Sequence, residues 1–282
     1  MNEERKRWLA DYERTGYLVV EDMVDMDTIH ALRAAMDELA ADPDSLPPKL
    51  KQHIMFERAR AGSRHNKLSA DEIGNAIHNV MEVVLFNPVF AKMIFHERQL
   101  DVLEALFGST EFAFLNYKCI VKAPRVSSVF RWHRDFPYLN YTTPNLITSM
   151  ICLDDMTPEN GATVVLPGSH HVPQEQVTAA DREIAEEHLP KGYERVMVCC
   201  PAGSAVLFHV NILHGGPANR SPYPRRNLIS IWAGPDTYPT EAFRLAYQGT
   251  MPRSTDPARQ LQNQMTQKYI AGLRPVLAQV PA

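Results

Sequence analysis

The sequence predicts a β-rich α+β domain, a sandwich or barrel core with helices flanking it at both ends. Three observations carry this. From Phe112 to Trp232, seven short strand-like runs alternate with turn residues. Before Gly108, apolar residues recur at helical spacing instead. The chain has 282 residues, 45% of them hydrophobic and 22% charged, enough for one large domain with a full core and short for two independent enzymes.

In chain order, Glu4 to Thr15 reads as a helix stopped at Gly16, followed by a strand at Tyr17-Leu18-Val19-Val20. Met26-Asp27 opens a periodic helix through Ile29, Leu32, Met36 and Leu39, with Asp27 as its expected N-cap. Residues 42–66 hold Pro43, Pro47 and Pro48 and then scattered cations. They read as one long irregular segment, a candidate lid. Ser69 to Phe107 reads as helical, with Ser69 as N-cap, Pro88 dividing two helices and Gly108 as the stop. The expected strands are Phe112–Val121, Ser128–Trp132, Leu146–Leu153, Ala162–Leu166, Glu194–Cys199, Ser204–Val210 and Asn227–Trp232. The acidic stretch 181–188 reads as a short surface helix, and Thr240 to Gln279 as a mostly helical tail broken by prolines. The whole is one domain, with a helical flank over 1–110, a β core over 111–235 and a helical tail over 236–282.

Composition excludes several classes of function. The net charge is −4 and no basic block is sustained, so nucleic-acid binding has no electrostatic support. No apolar run is long enough to span a bilayer. The charged start Met1-Asn2-Glu3-Glu4-Arg5-Lys6-Arg7 lacks the apolar stretch of a secretory signal. Cys119, Cys152, Cys199 and Cys200 lie in strand-like surroundings without a CxxC pattern, and vicinal Cys199-Cys200 should alternate across a strand. A reducing, cytoplasmic setting is expected. The composition is silent on oligomeric state.

The most informative motif is His133-Arg134-Asp135, answered by His214 and then Arg225. On a strand, residues two apart face the same way, which sets an imidazole beside a carboxylate. A second imidazole from a distant strand completes two histidines and one carboxylate on one face of a metal. That set suits non-heme Fe(II) and leaves positions open for other ligands. A bare H-x-D is weak by itself. His133 also reads as a half-buried strand histidine, Asp135 as a turn residue before Pro137, and His214 as a loop histidine before Gly215-Gly216. His209 is the rival for the distal ligand.

Context favours the metal-ligand reading. Trp132-His133-Arg134-Asp135-Phe136, the run from Glu159 through Gly161 to Pro167-Gly168-Ser169-His170, Leu207-Phe208-His209, and His214-Gly215-Gly216-Pro217 leading to Pro224-Arg225-Arg226 stand in order. With these the chain resembles the phytanoyl-CoA dioxygenase family of Fe(II)/2-oxoglutarate-dependent oxygenases, which includes natural-product oxygenases. The resemblance implies a double-stranded β-helix, a cupin-like jelly roll, for the core. It implies Fe(II) held by His133, Asp135 and His214, with 2-oxoglutarate as cosubstrate and O2 as oxidant. A C–H bond of a small metabolite or natural product would be oxidised, most often hydroxylated, with release of succinate and CO2. Desaturation, cyclisation or epimerisation are alternative outcomes of the same chemistry. A non-catalytic jelly-roll metal-binding or regulatory protein is the reading from another class. Nothing in the sequence names the prime substrate.

The resemblance places Arg225 on the far carboxylate of 2-oxoglutarate, where its planar fork suits a bidentate pair. Neighbouring Arg226 is the alternative. Thr148 matches a position where some relatives set a hydroxyl near this carboxylate, and Lys122 is a further candidate anion contact. Phe136 and Tyr138, just past the ligands, are expected to wall the substrate pocket. Phe130 and Trp132, of opposite parity to His133, are expected in the core. His53, His65 and His78 read as ordinary surface or helix histidines, and His170 and His171 as structural. The cations Lys49, Lys51, Arg58, Arg60, Arg64 and Lys67 either draw in an anionic substrate or form a solvated loop.

Overall fold

Two facing antiparallel sheets form the core of the computed structural model, which describes residues 3–43, 45–177, 182–242 and 245–276. The strands are β1 (Tyr17–Val20), β2 (Ile54–Phe56), β3 (Ile77–Met81), β4 (Ala113–Lys122), β5 (Phe130–His133) and β6 (Leu146–Cys152), then β7 (Val164–Val165), β8 (Glu183–Ile184), β9 (Val196–Met197), β10 (Ala205–His209), β11 (His214–Gly216) and β12 (Arg225–Ala233). The larger sheet runs β1-β10-β6-β12-β4-β3-β2 and the smaller β8-β5-β11-β7-β9. Apart from the β2-β3-β4 run at one edge, chain neighbours lie apart in these orders, and the chain crosses from one sheet to the other. This is the jelly-roll pattern, and each strand run expected between Phe112 and Trp232 is present.

The helices are α1 (Glu3–Thr15), α2 (Met26–Ala41), α3 (Pro48–Lys51), α4 (Ala70–Ile73), α5 (Pro88–Lys92), α6 (Glu97–Phe107) and α7 (Pro257–Gly272). They cover the outer face of the larger sheet. Trp8 and Tyr12 of α1, Ile29, Leu32 and Met36 of α2, and Leu100 and Leu103 of α6 bury against Tyr117, Cys119, Ile151, Leu207 and Trp232. The face opposite these strand residues looks inward, where Met150, Val206 and Phe208 meet Ala162, Val165 and Ile212. No helix among the described residues is long and apolar enough to cross a membrane.

Several expectations need correction. The N-cap of α2 is Asp25, whose carboxylate accepts from the Thr28 amide at 2.8 Å; Asp27 lies inside the first turn. Ser69 does cap a helix, with the reciprocal Glu72 contact of a capping box, but that helix ends after one turn. Gly74, at φ +62°, turns the chain, and Ile77–Met81 then joins β4 as a strand. Ile77 and Val80 are three apart and bury equally well in a helix or on a sheet, so spacing alone misled. In the acidic stretch, Asp181 lies outside the described residues, Glu183–Ile184 pairs with β5 as β8, and only Glu186–His188 forms the expected short surface helix, as a 3₁₀ turn. Among its described residues the tail contains one regular helix, α7, capped by Asp256; residues 243–244 and 277–282 lie outside the described residues. Cys199 and Cys200 alternate, exposed and buried, and Cys200 Sγ lies 3.5 Å from Cys152 Sγ.

Residues 42–66 are not one irregular excursion. They contain α3 and β2, and β2 pairs with β3. Glu57 is fully buried, and its carboxylate meets His78 Nδ1 at 2.8 Å and accepts from the Ser128 amide at 3.0 Å and the Ser128 hydroxyl. Asn66 donates to the Val126 carbonyl at 2.8 Å. Burial alone would raise the Glu57 carboxyl; the His78 and Ser128 contacts outweigh it and hold it below its ordinary 4.5. His78 is thus a buried core histidine. Glu57→Gln should destabilise the fold by about 1–3 kcal/mol at neutral pH, the usual cost of leaving buried hydrogen-bonding groups unmatched. A depressed carboxyl contributes stability that is complete above 4.5 and vanishes as pH falls through the lower folded value. Thermal melts against pH should therefore show an acid-side decline in the parent that is reduced in Glu57→Gln; parallel curves would contradict this role.

Candidate metal and cosubstrate site

The inner faces of both sheets enclose a cavity. Alternation along the strands supplies its wall: Lys118, Ile120 and Lys122 from β4, Arg225, Asn227 and Ile229 from β12, Thr148 and Met150 from β6, and Phe208 from β10. The smaller sheet contributes Phe130, His133, His214 and Gly215. β11 lies between β5 and β7, which puts His214 directly opposite His133. A Cβ on Gly215 would come within 2.8 Å of the Phe130 carbonyl, so the close approach of these strands requires glycine there.

His133, Asp135 and His214 each offer a ligand atom, all within 4.8 Å of one another. The imidazole centroids are 4.2 Å apart, and Asp135 Oδ1 lies 3.9 Å from His133 Nε2 and 3.8 Å from His214 Nε2. Each Nδ1 points at the carbonyl two residues back, Arg131 at 2.8 Å and Ile212 at 3.1 Å. Nδ1–H donates there, which leaves both Nε2 lone pairs facing Asp135. Burial, reinforced by the neighbouring His214, drives His133 down to about 4, so its imidazole is neutral as a metal ligand must be. Burial would raise Asp135, but His214, Lys118, His133 and the Thr148 hydroxyl hold it below its ordinary value. Two imidazoles and a carboxylate on one side of an open cavity fit a facially bound iron.

The route to this pair differs from strand parity. His133 is the last residue of β5, and Asp135 sits at φ −74°, ψ −37° where a 3₁₀ turn begins, its amide bonded to the Val210 carbonyl at 2.9 Å. Arg134 points the other way, and its guanidinium donates to the Ser169 and Val172 carbonyls at 2.8 and 2.7 Å. Ser169 Oγ in turn accepts from the Leu213 amide at 2.8 Å, so the Pro167-Gly168-Ser169 turn braces the strand of His214. His170 and His171 both reach the Glu13 carbonyl.

At the other end of the cavity, Arg225 and Lys122 are cross-strand partners. Both are buried, and among the described residues neither makes an ion pair with a carboxylate. Among the described residues Arg225 Nε has no partner, Nη1 lies 3.7 Å from Met156 Sδ, and burial lowers its guanidinium to about 10. Lys122 donates to the Pro217 carbonyl and sits 5.0 Å from the Phe130 ring. Burial, then the Arg225 charge, pulls its ammonium well below the ordinary 10.5. Gly161, at φ +78°, lies against both: a Cβ there would meet the Pro217 carbonyl at 2.5 Å and Lys122 Nζ at 3.0 Å. Arg226 faces outward and is engaged by Asp154, at 2.9 and 3.0 Å, and by Asp37.

The remaining candidates divide. Thr148 lines the cavity, but its hydroxyl donates to Asp135 Oδ2 at 2.7 Å. Tyr138 is half exposed, edge-on to His133 at 6.1 Å. Phe136 packs with Leu115, Tyr141 and Ile231 away from the cavity wall. Trp132 is in a core cluster as expected from parity, whereas Phe130 faces the cavity. Three steps along β5 answer two along β11, from His133↔His214 to Phe130↔Gly216. This extra residue is a bulge that turns Phe130 to the side of His133. His209 lies outside the metal group, 5.4 Å from the His170 ring. Lys118, Met150, Phe208, Asn227 and Ile229 were missed, although Lys118-x-x-x-Lys122 shares one strand parity with the cosubstrate candidate Lys122.

The comparisons agree with this geometry. The family described as phytanoyl-CoA dioxygenase (PhyH) matches residues 12–227. Ectoine dioxygenase of Sphingopyxis alaskensis is 26% identical over 249 residues, covering 80% of this chain and 74% of that one. The crystal structure of EctD from S. alaskensis with 2-oxoglutarate and 5-hydroxyectoine superposes with a TM-score of 0.65 at 25% identity, over 81% of this chain and 75% of that one. The epimerase SnoN, in complex with Fe3+, alpha ketoglutarate and nogalamycin RO, shares the fold with a TM-score of 0.67 at 19% identity, over 90% and 96%. The chain belongs to the phytanoyl-CoA dioxygenase family and is an Fe(II)- and 2-oxoglutarate-dependent oxygenase with a jelly-roll core.

Proposed function

We propose that this oxygenase oxidises, by hydroxylation, a C–H bond of a small molecule bound beside His133, Asp135 and His214. One observation carries the reading: a two-histidine, one-carboxylate group with free Nε2 atoms opens onto a cavity whose far end holds an uncompensated buried arginine. Iron bound with 2-oxoglutarate supplies, with O2, the oxidant for the C–H bond, while 2-oxoglutarate is converted to succinate and CO2.

The chain's own residues do the positioning. The Arg131 and Ile212 carbonyls fix both imidazole tautomers, and Thr148 orients the Asp135 carboxylate. Arg225, helped by Lys122, grips the far carboxylate of 2-oxoglutarate, which compensates charges otherwise buried alone. Ile120, Ile229, Met150 and Phe208 keep water from the reacting groups. Thr148→Val should weaken iron binding roughly 10-fold to 100-fold, the usual effect of removing an outer partner of a ligand. Its 2-oxoglutarate affinity should stay unchanged; a loss confined to 2-oxoglutarate would return Thr148 to the cosubstrate.

A lid function for 42–66 belongs, on this reading, to the cationic tip. Among the described residues the segment adds none to the cavity wall, and Glu57 and Asn66 hold its second half. Arg64 and His65 reach Glu183, which pairs opposite His133. The functional test is a screen of metabolites for substrate-dependent succinate formation, followed by mass analysis. A product 16 mass units heavier, the weight of one oxygen atom, supports hydroxylation. A product two units lighter or of equal mass moves the outcome to desaturation, ring closure or epimerisation.

A further inference from the structure

The cavity wall carries a surplus of positive charge. Lys118, Lys122 and Arg225 line it, and Asp135 is the one carboxylate among the lining residues. Ferrous iron and dianionic 2-oxoglutarate cancel each other formally, so loading the site leaves the surplus in place. Arg225 and Lys122 stand together at the far end, cross-strand from one another. Lys118 is four residues up β4 on the same face, about 13 Å away at ordinary strand rise, and pairs across to Ile229.

Lys118 is thus at the metal end of the cavity. It is partly exposed, and among the described residues no hydrogen bond or ion pair holds its ammonium. The negative charge it acts on is Asp135, and its charge also reaches His133. A metal on Asp135 takes that charge away. Entry of a substrate then displaces the water around the ammonium, which is costly unless the substrate brings an anion. Among the described residues, the wall near the metal therefore offers a cation with no partner of its own.

We propose that Lys118 is a specificity residue that binds an anionic group of the prime substrate, and that the substrate class is small organic anions, carboxylates or phosphates. This rests on the oxygenase reading, with Arg225 and Lys122 already committed to 2-oxoglutarate. The same ammonium chemistry would also suit the metal-side carboxylate of 2-oxoglutarate, and the test separates the two.

The experiment is anaerobic calorimetry on the full chain loaded with Mn(II), first titrated with 2-oxoglutarate and then, once saturated, with hexanoate, hexyl phosphate, hexanol or hexylamine at millimolar concentrations. The parent should bind at least one of the two anions and neither hexanol nor hexylamine. Lys118→Met should weaken that binding about tenfold or more, the weight of one charge-assisted hydrogen bond. Lys118→Arg should retain it, and 2-oxoglutarate affinity should be the same in all three proteins. Equal anion binding by the parent and Lys118→Met would overturn the proposal, as would binding of the alcohol or amine as tightly as the anions. A loss of 2-oxoglutarate affinity in Lys118→Met would also overturn it and assign the cation to the cosubstrate. A parent that takes up 2-oxoglutarate but no anion overturns this proposal alone. A parent that takes up no 2-oxoglutarate overturns the oxygenase reading and this proposal with it.

Discussion

Alanine at His133, Asp135 or His214 should abolish turnover. Each change leaves two ligand atoms where three now stand within 4.8 Å of one another. No neighbour among the described residues can replace the missing donor. His209 is the obvious substitute by sequence, but its Nδ1 accepts from the Asn211 amide at 3.0 Å and its ring packs near His170. His209→Ala should therefore keep iron binding and turnover, while His214→Ala loses both. Equilibrium dialysis with Fe(II), alongside succinate release, checks the pair. Retained activity in His214→Ala would dismiss the triad.

Arg225→Ala should raise the 2-oxoglutarate requirement far more than it weakens iron binding. A buried carboxylate that loses a charge-assisted partner loses about 2–5 kcal/mol, or roughly 30-fold to 4000-fold in affinity. Arg226→Ala is the control, because Arg226 is spent on Asp154 and Asp37. It should lower the melting temperature and leave 2-oxoglutarate affinity alone. Titration of 2-oxoglutarate into both variants separates them, and an unchanged affinity in Arg225→Ala would move the role elsewhere.

The β core was legible because most of its strands are short alternating runs between turn residues, and each of the seven expected runs contains a strand, whereas β8 and β11, two and three residues long, are too short to show a pattern. The helices α1 and α2 were legible for the same kind of reason, a strong periodic face. What escaped were features decided by tertiary partners. Ile77–Met81 joins the sheet because β4 offers an edge, and nothing local distinguishes it from a helix. The order within 54–66 depends on Glu57 meeting His78 and Ser128, residues 21 and 71 positions away. Phe130 was misplaced by a bulge that parity cannot foresee. The metal group was legible as a set of residues, yet the reason His133 and Asp135 adjoin is a turn bonded to Val210, not alternation along a strand. Arg225 and Arg226 were separable only by their surroundings, one facing the cavity and one held by acids. Lys118 escaped because a single lysine on a strand has no pattern until the opposite wall is known.

The most direct test of the account is release of CO2 from 2-oxoglutarate by the purified chain, with and without Fe(II), in the parent, His214→Ala and Arg225→Ala. The parent should release iron-dependent CO2 matched by equal succinate, and His214→Ala should release none. Arg225→Ala should reach comparable release only at much higher 2-oxoglutarate. CO2 release that ignores iron, or that survives in His214→Ala at the parental rate, would contradict it.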